Sequence, residues 1–184
     1  SMASLFDKEN DREWVDGEFN KLKVYEDNPG VYDAWDILPN YKDKEIIPEL
    51  TKELCLLNKD SESAEFTVTV KIGESKWKRI IRLFRRSRGI EIENIVDWKE
   101  RRRLVKAQYD CNVLTREAVC DTSAGYIKRE THSNTSWQKA RFEVCCHKWV
   151  DLAEQGGGVA LINEGKYGVG LCENSMSLSL LRGT

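Results

Sequence analysis

The sequence contains no apolar run long enough to cross a membrane. A transmembrane helix needs about 20 consecutive apolar residues, and none of the 184 residues lies in such a run. Histidine is scarce as well, with two residues in all, and neither a C-x-x-C nor an H-E-x-x-H spacing occurs. We therefore expect no membrane partner, and the scarcity argues against a zinc site or a hydrolytic triad within the chain.

An excess of basic charge is missing too. The chain has 29 Lys plus Arg and 31 Asp plus Glu, for a formal net charge of -2. Nonspecific nucleic-acid binding requires a basic surface that releases counterions, so we expect no nucleic-acid partner. One basic run, at residues 76–88, is interleaved with apolar residues and followed by Glu91 and Glu93. A solvated sheet face paired with acidic neighbours fits it better than a nucleic-acid surface, which stays as the alternative.

Cysteine occurs six times but without the spacing of a disulfide framework or a zinc site. The single adjacent pair, Cys145-Cys146, would point to opposite faces of a strand. Small buried thiols in a reducing compartment explain the cysteines best. The sequence thus predicts a cytoplasmic protein whose chain holds no cofactor of its own.

Alternation of apolar and polar residues dominates the chain. It is clearest at residues 66–72, 90–93, 105–111, 142–146 and 176–180. A period of two predicts strands with one dry face, and in the first of these segments the dry face would be Phe66, Val68, Val70 and Ile72. No long segment keeps a helical period. The sequence therefore predicts an all-β antiparallel sandwich with at most a short helix, as one domain over residues 1–184.

Two polar segments carry side chains that suit a sugar ligand. The candidates are Asp33, Trp35 and Asp36 in the first and Asn163, Lys166 and Tyr167 in the second. Aromatic faces stack on the apolar face of a pyranose ring, and carboxylates and amides hydrogen-bond hydroxyl groups. We expect both segments to be loops that lie together at one end of the sandwich. Core filling is the alternative for any single tryptophan.

Other functions of these segments fit the sequence less well. Gly165-Lys166 is followed by Tyr167, whereas a phosphate-binding Walker loop requires Ser or Thr there. A retaining glycosidase needs two carboxyl groups about 5 Å apart, and no pair can be placed at that separation from sequence. We instead expect Arg141, Glu143 and Asp151 to form internal ion pairs or hydrogen bonds that fix the strands.

Ordered motifs extend over most of the chain. They include THSNTSW at residues 131–137, ARFEV at residues 140–144 and LSLLR at residues 178–182. Further segments lie at residues 5–12, 24–29, 33–37, 95–106, 147–152 and 160–168. Together they resemble the C-terminal β-domain of the family 38 glycoside hydrolases, the retaining α-mannosidases, in their cytosolic and bacterial branch. Departures are small, such as Ile162 in place of a leucine and Glu164-Gly165 in place of Asp-Ser.

This resemblance implies a β-supersandwich of the galactose-mutarotase type, packed beside the catalytic domain of a longer protein. It implies mannose-containing oligosaccharides as the ligand of that protein. In the family the aspartate nucleophile and the His and Asp ligands of a divalent metal, usually zinc, lie in a separate N-terminal α/β domain. The alternative is an independent carbohydrate-binding module of related fold.

We predict that the chain alone shows no α-mannosidase activity and retains no stoichiometric zinc. A catalytic zinc site takes three protein ligands and an open position, and the two histidines lie in no convergent spacing. Metal analysis of the dialysed protein and hydrolysis of a chromogenic α-mannoside test this. One tightly held zinc per chain, or turnover above the buffer rate, would show the prediction to be wrong.

Overall fold

The computed structural model describes residues 1–183, which form sixteen strands, a 3₁₀ turn at Tyr41–Lys44 and one short helix, α1, at Ser136–Lys139. The strands are β1 Phe6–Asp7, β2 Arg12–Glu13, β3 Val15–Glu26, β4 Glu45–Ile46, β5 Glu49–Lys59, β6 Ser63–Ile72, β7 Ser75–Phe84, β8 Ile90–Asp97, β9 Arg103–Cys111, β10 Glu117–Thr122, β11 Gly125–Glu130, β12 Val144–Cys145, β13 Trp149–Glu154, β14 Gly157–Ile162, β15 Gly168–Cys172 and β16 Ser175–Gly183. The prediction of an all-β antiparallel fold is confirmed. No helix in the described part of the chain has the length and apolarity to cross a membrane.

The chain divides into two compact units. The first comprises residues 1–45 and 103–182, and the second comprises residues 46–102 with Gly183. The strand orders are β12-β15-β16-β9-β3-β4 in a six-stranded sheet, β11-β10-β13-β14 in a four-stranded sheet and β1-β2 in a short ribbon. The second unit consists of the meander β5-β6-β7-β8. Every strand pair for which a register is given is antiparallel.

Strand β9 in the six-stranded sheet is covered on both faces. Alternation predicted a dry face of Val105, Ala107, Tyr109 and Cys111, and all four are buried. Leu104 and Lys106 on the opposite face are buried as well. A strand buried on both faces forms the centre of a core, so β9 anchors the first unit.

Strand β6 in the second unit departs from the predicted burial. Of the expected dry face only Ile72 is buried, whereas Phe66, Val68 and Val70 are half-buried. On the opposite face Thr67 and Thr69 are buried, and the Thr67 hydroxyl donates a hydrogen bond of 3.0 Å to the Arg79 carbonyl oxygen. The predicted dry face is therefore confirmed for Ile72 alone. Burial along this face is uneven, because Trp77 on β7, which pairs with Val70, is buried as well.

Acidic neighbours pair with one arginine of the basic run on this meander. The Arg82 guanidinium lies 2.6 Å from a Glu65 carboxylate oxygen on β6 and 2.7 Å from a Glu93 oxygen on β8. Cross-strand charge pairs of this kind stabilise a solvated sheet face by fractions of a kcal/mol, about 0.2–1 kcal/mol each. Part of the basic run is therefore accounted for within the sheet.

Substitution of one buried and one exposed tryptophan, Trp77 and Trp35, tests the fold. Trp77 is 1% exposed, its indole N–H donates to the Asn94 Oδ1 atom at 2.9 Å, and its ring meets Trp98 edge-on. Trp77→Ala is expected to lower the free energy of unfolding by about 3–5 kcal/mol because it leaves a cavity. Trp35→Ala should change it by less than about 0.5 kcal/mol, because Trp35 is 91% exposed. Urea unfolding followed by circular dichroism measures both, and equal losses would contradict these placements.

Candidate functional site

The first candidate loop lies between β3 and the 3₁₀ turn and presents two aromatic side chains to solvent. Trp35 is 91% exposed and Tyr32 is 76% exposed, with Asp33 and Asp36 exposed beside them. The backbone N–H groups of Trp35 and Asp36 both donate to the Tyr32 carbonyl oxygen, at 2.8 and 2.9 Å. The loop is thus closed by its own hydrogen bonds. Trp35 does not fill the core.

Both ends of this loop are attached to the first unit. The Asp27 carboxylate, 4% exposed at the end of β3, receives hydrogen bonds from the Nε and Nη2 atoms of Arg182. The same guanidinium donates to the Asp36 carbonyl oxygen. Ile37, the next residue, packs against a buried cluster that contains Tyr25. The loop therefore presents its aromatic side chains from fixed ends.

The second candidate loop uses one predicted site residue to hold its own shape. The Asn163 Oδ1 atom accepts hydrogen bonds from the backbone N–H groups of Gly165 and Lys166, at 2.9 and 2.6 Å. Its Nδ2 atom donates to the His147 carbonyl oxygen at 3.2 Å. An asparagine that bonds to the backbone two and three residues ahead forms an Asx-type turn. The amide of Asn163 is thus engaged within the loop.

Tyr167 and Lys166 in the same loop remain exposed. The Tyr167 ring is 57% exposed and meets the His147 ring edge-on, with centroids 5.4 Å apart. Among residues 1–183, no hydrogen bond, ion pair or ring contact joins residues 163–167 to residues 33–36. The expectation that the two loops lie together stays a prediction.

Glu143 takes part in a buried ion pair, as the sequence suggested. Lys106 is 1% exposed, and its Nζ atom donates to the Glu143 Oε1 atom. The Tyr41 hydroxyl donates to the same oxygen at 2.7 Å. Burial lowers the pKa of Lys106 and the Glu143 carboxylate opposes that change. Burial, together with the same carboxylate, raises the pKa of Tyr41. Glu143 therefore has a structural role in the core of the first unit.

Arg141 and Asp151 do not form the expected internal contacts. Within residues 1–183 neither side chain has a hydrogen bond or an ion pair, and Arg141 is exposed. Burial raises the pKa of the half-buried Asp151 carboxyl. Because α1 and a turn replace the expected strand around Arg141, its side chain does not point into a sheet. Arg141→Ala is therefore not expected to destabilise the fold.

The helix α1 begins at a capping signal in the sequence that a search for strand alternation does not detect. The Thr135 hydroxyl accepts a hydrogen bond from the Gln138 backbone N–H at 3.3 Å, and the Gln138 side chain accepts one from the Thr135 N–H at 2.9 Å. This reciprocal pair is a capping box, whose sequence pattern is Ser or Thr followed three residues later by Glu or Gln. Trp137 within the helix is 79% exposed. Trp137 lies outside both candidate loops, whereas Tyr32 and Arg182 belong to the first loop and its attachment and were not among the site residues predicted from sequence.

The described residues form no candidate metal site. Residues 1–183 hold no group of three or more His, Cys, Asp or Glu side chains that could bind a metal ion. The candidate loops instead offer three exposed aromatic rings, from Tyr32, Trp35 and Tyr167, together with carboxylates and an ammonium group. Such a surface can stack on and hydrogen-bond to a polyhydroxylated ligand.

The chain belongs to glycoside hydrolase family 38. The model of the "Glycosyl hydrolases family 38 C-terminal domain" matches residues 1–184. Alpha-mannosidase G of Dictyostelium discoideum is 34% identical over 196 residues, covering 98% of this chain and 17% of that protein. Alpha-mannosidase 2C1 of Homo sapiens is 31% identical over 166 residues, covering 89% of this chain and 16% of that protein. The chain thus spans only about a sixth of these relatives.

Solved structures show the same fold. An alpha-mannosidase from Enterococcus faecalis V583 superposes with a TM-score of 0.77 at 11% sequence identity. The match covers 98% of this chain and 24% of that chain. A similarity at this identity establishes the fold alone. It nevertheless agrees with the family assignment from sequence.

We predict that the ion pair between Lys106 and Glu143 is worth far more than an exposed pair. Glu143→Ala leaves a buried ammonium without a partner and should lower the free energy of unfolding by about 3–5 kcal/mol. The double variant Lys106→Met/Glu143→Gln removes both charges, keeps an acceptor for the Tyr41 hydroxyl and should recover most of that loss. Urea unfolding is the measurement.

The matched control is Lys44→Ala. It removes an exposed ion pair with Glu26 in the same unit, at 3.3 Å, and should cost about 0–1 kcal/mol. If Glu143→Ala costs no more than Lys44→Ala, or if the double variant is less stable than Glu143→Ala, the structural role assigned to the buried pair is wrong.

Proposed function

We propose that this chain is the non-catalytic β-domain of a metal-dependent retaining α-mannosidase that hydrolyses terminal α-D-mannosides in oligosaccharides. Family membership and relatives named alpha-mannosidases support the enzyme class. In the longer protein this chain stabilises the catalytic domain and forms part of the wall of the sugar cleft. The observation that supports the second role is the first candidate loop, residues 31–36, which is called the aromatic loop below. Its fixed ends present Tyr32 and Trp35 to solvent.

The chemistry of the aromatic loop suits a mannose ring. An exposed apolar patch rimmed by polar residues marks a binding surface, and the exposed Tyr32 and Trp35 are flanked by the exposed carboxylates of Asp33 and Asp36. Trp35 and Tyr32 offer flat faces for the apolar side of the sugar, and the Asp33 and Asp36 carboxylates can accept hydrogen bonds from its hydroxyl groups. In the second loop Lys166 and Tyr167 offer a donor and a further ring, while Asn163 keeps the loop in shape.

The reaction itself is assigned to the rest of the longer protein. We place the divalent metal, zinc by the family resemblance, in the catalytic domain, because the described residues contain no convergent set of ligands for it. No step of bond cleavage is assigned to this chain. Its proposed partners are the mannose-containing oligosaccharide and the catalytic domain. The proposed location is the cytoplasm, a reducing compartment that suits six free cysteines.

A second candidate function is an independent carbohydrate-binding module. The exposure of Trp35 and Tyr32 in this chain favours it, since both rings are accessible without any partner. Titration of the chain with mannobiose, followed by NMR or calorimetry, separates the two functions. Micromolar affinity would favour the module. No measurable binding is expected for half of a cleft.

We predict that Trp35→Ala lowers kcat/KM of the longer enzyme while leaving its melting temperature unchanged. A lost stacking contact of about 0.5–1.5 kcal/mol corresponds to a roughly three- to tenfold decrease. Stability should hold because the 91% exposed ring contributes little to the core. Steady-state kinetics on a mannobiose substrate and a thermal melt measure both quantities.

The control for Trp35→Ala is Trp137→Ala, which removes another exposed tryptophan outside the two candidate loops. It should leave kcat/KM within twofold of the unmodified enzyme. An unfolded Trp35→Ala variant whose folded fraction keeps normal specific activity would place Trp35 in the core, and the site assignment would then fail.

A further inference from the structure

We infer that Arg182 is a positioning residue for the aromatic loop at residues 31–36, an inference that rests on the function proposed for that loop. Arg182 lies near the end of β16, 155 positions from Asp27 in sequence. Its side chain reaches Asp27, directly after β3, and Asp36, the last residue of the loop. One guanidinium thus determines where Tyr32 and Trp35 are held.

The Asp27 carboxylate requires a cation at this position. It is 4% exposed, and an ionised carboxylate removed from water is stable only when it is paired and hydrogen-bonded. The Arg182 Nε and Nη2 atoms approach its two oxygens, the second at 3.2 Å, which is the bidentate arrangement of a guanidinium with a carboxylate. The Arg182 side chain is itself only 18% exposed. The pair is therefore a fixed point in the first unit.

A third hydrogen bond connects the Asp27–Arg182 pair to the loop. The Arg182 Nη2 atom also donates to the Asp36 carbonyl oxygen, and the Asp36 N–H donates to the Tyr32 carbonyl oxygen at 2.9 Å. The planar guanidinium can serve carboxylate and carbonyl together because its five donors point in fixed directions. A lysine at this position would supply charge without that geometry.

Because its ends are fixed, the aromatic loop has little conformational entropy left to lose when a ligand binds. Ordering a flexible loop on binding weakens affinity, and a loop already held in its bound shape avoids that loss. Tyr32 adopts a φ of 63°, an uncommon conformation for a residue other than glycine. The bonds through Asp36 hold the turn in which this conformation occurs. Arg182 thus acts on the sugar through Trp35 and Tyr32, and not by contact with the reacting atoms.

The test compares Arg182→Lys with the unmodified chain by NMR. The indole signal of Trp35 is assigned with a Trp35→Phe variant, and hydrogen exchange of the Trp35 and Asp36 amides is measured. Lysine retains the positive charge but not the bidentate geometry. We expect the Trp35 signal to shift or broaden and the two amides to exchange at least tenfold faster, with the Trp77 indole signal unchanged. Lys44→Gln, which removes an exposed ion pair with Glu26 in the same unit, should alter none of these signals.

The outcomes separate the positioning role from a purely structural one. A folded Arg182→Lys chain with unaltered Trp35 signal and amide exchange overturns the inference. Where Arg182→Lys does not fold, the double variant Asp27→Asn/Arg182→Gln removes both buried charges, and the same measurements decide.

Kinetics of the longer enzyme then distinguish this inference from the proposed function. Arg182→Lys should lower kcat/KM three- to tenfold, and it should add little in a Trp35→Ala background, because both changes act through one ring. If neither variant changes kcat/KM while the NMR changes occur, the positioning role stands and the sugar contact of the loop is wrong. If Arg182→Lys lowers kcat/KM equally in both backgrounds, Arg182 acts by another route and the inference fails.

Discussion

The buried ion pair of Lys106 and Glu143 is the constraint on which the first unit depends. Lys106 lies on the central strand β9, where both faces are covered, so its ammonium group must meet a carboxylate inside the fold. Glu143 reaches it from the turn between α1 and β12, and Gly170 on β15 leaves the room it needs. A Cβ atom on Gly170 would lie 2.7 Å from the Glu143 Oε1 atom. The positions of β9, β15 and the turn that carries Glu143 are therefore linked through one ion pair.

The same ion pair connects the core to the candidate site. Tyr41 donates its hydroxyl hydrogen to Glu143 and packs edge-on against Tyr25, with ring centroids 4.9 Å apart. Ile37, which directly follows the aromatic loop, packs against this cluster. A second pair, between Asp27 and Arg182, holds the loop from its other side. The exposed rings of the loop are therefore positioned by buried charges, although they contact neither of them.

We propose that this domain, which covers about a sixth of its relatives, contributes to catalysis by orienting the sugar and carries none of the bond-breaking chemistry. Proximity and orientation of the bound sugar account for much of an enzyme's rate, and an anchored aromatic surface supplies orientation. We propose that the rest of the longer protein supplies the carboxylates and the metal. Because errors of about an ångström in position cost activity, a rigid β-domain suits the sugar-orienting role that we propose for the loop.

The sequence by itself determined the fold class, because alternation with a period of two follows directly from strand geometry. It also predicted Trp35 as a site candidate and an internal contact for Glu143, whereas Asp27, Lys106 and Arg182 lie in segments that resemble the family but were not predicted to have these roles. Tertiary structure alone decided how these residues pair. Lys106 and Glu143 are 37 positions apart, and Asp27 and Arg182 are 155 positions apart, so no local pattern could join them. It likewise decided which face of β6 is buried and that Arg141 follows a helix, because burial depends on which element lies opposite and not on the alternation within one strand.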